Sequence, residues 1–199
     1  YLRFGVTIEI ADGFLSLGGL AVSGDFAFEQ ASDANGDATV NVGIANGAAE
    51  FSSTGNAATL NITAINGAFF VTTAGVVGQA TANVMLTTPG NALTLANGTF
   101  SLVLNTTGAA VETSMIVGNE TITVSVEAGP FIRIEATTVE LAVVVDGITQ
   151  TFSGNAAFEQ STTDAGDVLT IEVTDLQMNF EGVLTVTDGQ LQLVVTNTG

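Results

Sequence analysis

The chain has no cysteine, no histidine, no tryptophan and no lysine, and its only basic side chains are Arg3 and Arg133. Without cysteine there is no disulfide and no thiolate metal site. Without histidine, Ser-His-Asp and Cys-His catalytic arrangements cannot be assembled. With no tryptophan and one tyrosine, the aromatic platforms on which a glycosidase or lectin stacks sugar rings are nearly missing. A pair of acidic residues could still suggest glycoside hydrolysis. The surrounding vocabulary of an active site is nearly empty, however, so no catalysis is expected.

The charge balance excludes further classes. Two arginines face 20 acidic residues, a formal net charge of −18. Nucleic-acid backbones demand a basic patch that two arginines cannot supply, and anionic membrane surfaces repel such a chain. Charged residues make up only 11% of the chain, so the peculiarity is the missing bases rather than a dense acidic coat of the halophilic kind. No stretch of 18 apolar residues occurs, and no membrane insertion by a helix is expected. The sequence starts at Tyr1 without an initiator methionine or signal peptide, which reads as a mature piece or a fragment of something longer.

What is present is alternation with period two. It runs through Val6–Ile10, Val40–Ile44, Leu60–Thr63, Ile122–Val126, Leu169–Val173 and Leu191–Leu193. Each run places aliphatic groups on one side and small polar groups on the other, as a half-buried strand requires. Asx-Gly pairs stand at Asp12-Gly13, Asn46-Gly47, Asn66-Gly67, Asn97-Gly98, Asp146-Gly147 and Asp188-Gly189. They supply the positive φ angles of type I′ hairpin turns. Further glycine-bearing breaks lie at Ser23-Gly24, Thr88-Pro89-Gly90 and Gly118-Asn119. No window carries a helical stripe. The expected fold is all-β, an antiparallel β-sandwich or flattened roll built from tandem repeats and elongated. A parallel β-solenoid is the alternative, disfavoured by the hairpin signals.

The repeat is visible in the letters. Tyr1-Leu2-Arg3-Phe4, Ser23-Gly24, Phe28-Glu29-Gln30 and Gly36-Asp37 recur as Phe131-Ile132-Arg133-Ile134, Ser153-Gly154, Phe158-Glu159-Gln160 and Gly166-Asp167, all at one offset. Phe51 then matches Phe180 after a slip of one, and Asn66-Gly67 matches Asp188-Gly189 after a loop shortens. The expected organisation is a complete unit over 1–130, with sub-units near 1–74 and 75–130, followed by the first half of a second copy over 131–199. Both arginines fall on the correspondence and are read as structural, each paired with a nearby glutamate such as Glu9 or Glu135.

The succession Gly129-Pro130-Phe131-Ile132-Arg133, Ser153-Gly154 and Phe158-Glu159-Gln160 resembles repeat units of very large bacterial secreted proteins of the adhesin or haemolysin-type calcium-binding kind. The resemblance covers most of the chain and contains no catalytic motif. It implies an extracellular or cell-surface location and an array architecture, and it supplies no ligand.

Three functions fit these features. The first is a structural repeat module of an extracellular fibre, stalk or adhesin-like giant surface protein. The second is a self-assembling subunit of an extracellular filament or surface layer, and the third a carbohydrate- or protein-binding module. The partners expected are neighbouring repeats or copies of the chain itself. The phenylalanines Phe14, Phe26, Phe28, Phe69, Phe70 and Phe100 are expected to fill the core between sheet faces; an exposed row of them would mark a contact surface between subunits. Asn-x-Thr sequons occur at Asn61, Asn97, Asn105 and Asn119.

One candidate metal site stands out. Asp33, Asn35 and Asp37 place oxygen-bearing side chains at alternate positions around Gly36, and Asp164 and Asp167 stand at the matching place of the repeat. Calcium takes several oxygens at about 2.3–2.6 Å, which such loops can offer. The bland reading is a polar loop whose Asp and Asn cap their own backbone. If the loops bind calcium, the chain melts at a higher temperature in calcium than in EGTA; superimposable melting curves exclude the site.

Overall fold

The computed structural model describes residues 3–7, 20–32, 38–52, 58–145, 147–163, 166–180 and 184–196. They form strands and turns without any α-helix. In chain order the strands are β1 (Arg3–Thr7), β2 (Leu20–Ser32), β3 (Ala38–Ser52), β4 (Thr59–Thr72), β5 (Gly75–Thr87), β6 (Leu93–Asn105), β7 (Val111–Val117), β8 (Glu120–Val126), β9 (Phe131–Val145), β10 (Ile148–Thr163), β11 (Gly166–Phe180) and β12 (Leu184–Thr196). Ten strands make one antiparallel meander in the order β1-β2-β3-β4-β5-β6-β9-β10-β11-β12, while β7 and β8 pair only with each other. The all-β antiparallel expectation holds, and among the described residues no strands pair in parallel as a β-solenoid requires.

The hairpin forms the second, smaller layer. Along β7 the inward residues are Val111, Met115 and Val117, and along β8 they are Ile122, Val124 and Val126. They close on Ala27, Ala45, Ala68, Phe70 and Val77 of the large sheet, which together make the buried core. Small residues are needed here because a two-stranded ribbon must sit close to the sheet. A Cβ added to Gly43 would lie 2.5 Å from Val117 Cγ2 and 2.8 Å from Met115 Sδ. Full burial of Val117 and Val124 contributes about 1.5–3 kcal/mol each.

Asn105 fastens this layer. Its side chain is completely buried. Its Nδ2 donates to Ala109 O at 2.8 Å, just before β7, and to Glu127 O at 2.6 Å, just after β8. Its Oδ1 accepts from the Thr107 amide at 2.8 Å and the Thr107 hydroxyl at 2.7 Å. One side chain thus ties the entry of the hairpin to its exit. A sequon asparagine held in this way has no room for a glycan.

The Asx-Gly pairs are where the structure departs most from expectation. Gly147, at φ 79°, does lie between β9 and β10. Gly118, at φ 59°, turns β7 into β8, and Pro89–Asn91 form a 3-10 turn between β5 and β6. Asn46-Gly47, Asn66-Gly67, Asn97-Gly98 and Asp188-Gly189, however, lie inside strands, and Asp12-Gly13 falls outside the described residues. Asn46 at φ 52° and Asp188 at φ 54° adopt the predicted left-handed backbone, but within strands rather than at hairpin turns. Asn46 marks a bulge where the β2–β3 register slips between Ser23 and Asp25. Ser23-Gly24 is likewise a mid-strand irregularity, as is Ser153-Gly154. The positive φ that favours a two-residue turn also suits an inserted residue, so the sequence signal alone does not separate them.

These insertions form a line across the sheet. Left-handed residues occur at Asn46 in β3, Ala64 in β4, Thr138 in β9, Asp175 in β11 and Asp188 in β12. Below the line Phe26 stands opposite Ile44; above it Val22 stands opposite Ala49, so β3 spends one residue more than β2. The same happens between β10 and β11, where Ala156 faces Val173 and Phe152 faces Met178. An inserted residue reverses the alternation of its strand, and β3 changes from even to odd apolar positions as it crosses the line.

Asn105→Ala removes the clasp and takes the side-chain partner from the Ala109 and Glu127 carbonyls and from the Thr107 amide. The expected loss is about 2–4 kcal/mol of unfolding free energy by chemical denaturation. A change below about 0.5 kcal/mol, the size of a neutral surface substitution, contradicts the assignment.

Candidate functional site

The register sorts the large sheet into two faces of opposite chemistry. Side chains alternate along a strand and match across it, so the face that carries the hairpin can be followed from strand to strand. It holds Glu29, Asn41, Gly43 and Ala45, then Phe70, Gln79 and Val103, then Arg133, Glu135, Ala157, Glu159, Thr170 and Glu172. Under the hairpin it is mainly apolar, with Gln79 Nε2 donating to Thr123 O of β8 at 2.9 Å; over β9 to β12 it is mainly polar. Ala27 faces Gly43, whereas Ala157 faces Glu172. The glycine that admits the hairpin over β3 therefore has an exposed glutamate as its counterpart in β11.

On the polar part, Arg133 Nε donates to Glu159 Oε2 at 2.6 Å, and the guanidinium carbon lies 5.1 Å from the Phe131 ring centre. The pair spans two strands, since Arg133 stands opposite Glu159. Arg3 likewise stands opposite Glu29 in the backbone register. The expected partner Glu135 instead accepts from the Ser101 hydroxyl at 3.3 Å, and Glu9 lies outside the described residues. Directly opposed residues have Cβ atoms about 4.5–5.5 Å apart, closer than residues two apart along one strand, which explains the choice of partner.

The bulge line has its own hydrogen bonds. The Asn46 amide donates to Asn66 Oδ1 at 3.0 Å, and Asn46 Nδ2 donates to Asp25 Oδ2 at 3.3 Å. Across the other half, the Thr138 amide donates to Asn155 Oδ1 at 2.9 Å, and Asn155 Nδ2 donates to Asp175 Oδ2 at 2.8 Å. A bulge leaves a backbone N–H without its ladder partner, and a neighbouring Asn accepts it in both halves. Two shallow clefts lie along this line on the polar side. One, of about 410 Å³, is bordered by Asn61, Thr63, Asn83 and Thr99; the other, of about 270 Å³, by Glu135, Asn155, Glu172 and Thr174. Glu135 and Glu172 stand on either side of Ala157, two strands apart.

The opposite face is mainly apolar, interrupted at Gln30 in β2 and at Gln150 and Gln160 in β10. It carries Phe26 and Phe28, Val42 and Ile44, Phe69 and Val71, Leu102 and Leu104, Ile132 and Ile134, Phe158, Leu169 and Ile171, and Leu191 and Leu193. Phe28 is 44% exposed, Ile134 43% and Phe158 39%. This corrects the expectation that the phenylalanines fill the core. Phe70 alone among the named ones is buried; Phe26, Phe28, Phe69 and Phe100 lie on this face, and Phe14 is outside the described residues.

Asp33, Asn35, Asp37 and Asp164 lie outside the described residues. Asp167 is placed by its backbone opposite Thr162 in the β10–β11 pair, and its side chain is not among those described. Among the described residues no group of three carboxylates is placed to hold a metal ion. Of the sequons, Asn105 is buried, Asn61 is half-buried on β4, Asn119 is exposed at the β7–β8 turn, and the Asn97 side chain is not described. Of the bulge-line residues, Asn66 belongs to an Asx-Gly pair read as a turn, whereas Asp25, Asn155 and Asp175 carry no motif. Their signal is the reversal of alternation beside them. No protein-family model, no curated protein and no solved structure matches this chain.

Asn155→Ala strips the Thr138 amide of its acceptor and Asp175 of its donor. The expected cost is about 1–3 kcal/mol, whereas Glu159→Gln, which breaks a half-exposed ion pair, costs at most about 1 kcal/mol. Equal effects in denaturant titrations contradict the role given to the bulge-line amides.

Proposed function

We propose that the chain is a structural repeat module of an extracellular fibre, stalk or adhesin-like giant surface protein, without a catalytic role. The observation that carries this reading is the equivalence of its two ends. Arg3 stands opposite Glu29 and Arg133 opposite Glu159, and the register slips at Ser23/Asp25 and at Ser153/Asn155. Pairings and irregularities spaced by the offset that the sequence repeats are what a duplicated unit over 1–130 and 131–199 produces. A meander that continues through β6 into β9 without changing sheet also suits an array, because each unit can extend the sheet of the one before it.

A second reading, a self-assembling subunit of an extracellular filament or surface layer, is favoured by β12. Among the described residues it lies at the sheet edge, and Leu191, Leu193, Val194 and Val195 are each about half exposed. An apolar edge strand is suited to strand addition.

Mass spectrometry of the intact native protein separates the two. The module reading expects a polypeptide many times the 20.1 kDa of this chain, seen by electron microscopy as one thread with regular units. A native polypeptide of about that mass contradicts it and favours the assembling subunit.

A further inference from the structure

We propose that the apolar face of the ten-stranded sheet is an interface for a second copy of the same face, the two sheets packing face to face as the halves of a sandwich. Size is the first argument. Every strand of this sheet except β1 is long, from the 13 residues of β2 to the 16 residues of β10. At about 4.8 Å between strands and about 3.3 Å per residue they span a face of roughly 1,800 Å². The largest apolar patch of a typical soluble monomer is about 300–600 Å². Two such faces brought together bury roughly 3,500 Å², the range of obligate homodimers.

Charge is the second argument and names the occupant. The chain carries a net charge of −18, so a like partner is repelled unless the meeting surfaces are neutral. Among the described side chains no Asp, Glu or Arg stands on this face; Asp167, whose side chain is not described, holds a register position at its rim, near the start of β11. The other strand acids are on the hairpin side, as Glu29, Glu135, Glu159 and Glu172 are, or at bulges, as Asp175 and Asp188 are. A second copy therefore meets apolar surface with apolar surface and keeps its acids outward. The bulge line is what makes this possible, since it holds the apolar set on one side along the whole length of each strand.

Lipid is a poorer occupant. The long strands carry apolar side chains over about 43 Å, well beyond the apolar band of about 25 Å of a membrane barrel, and the aromatic girdles of such barrels need tryptophan and tyrosine. This chain has no Trp and one Tyr. The proposal stands apart from the giant-protein reading, because it concerns how faces meet rather than how long the parent chain is.

Sedimentation equilibrium of the purified chain tests it. The expected mass is twice the 20.1 kDa of one chain. Ile134→Lys combined with Phe158→Lys, two residues directly opposite each other, is expected to abolish the dimer, while Gln192→Lys on the other face leaves it intact. If the double variant loses its β circular dichroism, single cysteines supply the readout in a chain that has none. Ala156→Cys is expected to react with a charged thiol reagent at least tenfold more slowly than Gln192→Cys. A folded monomer, a dimer that survives both lysines, or equal thiol rates overturns the proposal. So does a wild-type chain that sediments with phosphatidylcholine vesicles and is shielded by them instead of by its own copy.

Discussion

A side chain in a strand points to the opposite face from its neighbour, so one inserted residue reverses every side chain beyond it. The rest of this fold depends on how that constraint is met. The longest strand of the sheet, β10, runs to 16 residues, and a right-handed twist accumulates along such lengths. A bulge bends its strand and increases that twist locally. A bulge in one strand alone would scatter apolar groups over both faces. Here the left-handed residues of β3, β4, β9, β11 and β12 lie in one line, and the sequence changes the parity of its apolar positions where the line passes. Asn side chains accept the amides freed along that line, at Asn46 and at Thr138.

The second consequence is the division of labour between the faces. The hairpin needs a recess, and the recess is made of Ala27, Gly43, Ala45 and Ala68 beneath Met115 and Val117. The counterpart of Gly43 in the later strands is Glu172, so the same cover does not fit there and that surface is polar instead. Asn105 then fixes the β7–β8 layer by holding both of its ends. Composition and architecture meet here. A chain with almost no bases can remain folded because its acids are distributed over the polar face and the hairpin, with only Arg133 drawn into an ion pair among the described residues.

Much of this was legible in the sequence, and the misreadings have physical causes. The strand character of Val40–Ile44 or Leu169–Val173 follows from alternation alone, and the all-β antiparallel class followed from it. The turns at Gly118-Asn119 and at Gly147 were equally clear. Asn46-Gly47 and Asp188-Gly189 carry the same local preference for positive φ, and only the partner strand decides whether that preference ends a strand or bulges it. The clue was present as the change from even to odd apolar positions between Ile44 and Ala49. Alternation alone points the phenylalanines to the core, because aromatic groups on an alternating strand normally face one. Which face the hairpin covers is a tertiary fact, and β7–β8 settles on the side of Ala27 rather than that of Phe28. Of the residues proposed to hold calcium, only Asp167 falls within the described strands, and there by its backbone alone.

At four Asx-Gly pairs, Asn46-Gly47, Asn66-Gly67, Asn97-Gly98 and Asp188-Gly189, the strands run on instead of turning. Backbone nuclear Overhauser contacts in the deuterated, amide-protonated chain address it most directly, at Asn46-Gly47. Phe26 is expected opposite Ile44 and Val22 opposite Ala49, with β2 as the neighbour of β3 on both sides of the bulge. Contacts joining Ala45 to Ala48 across a two-residue hairpin would contradict it.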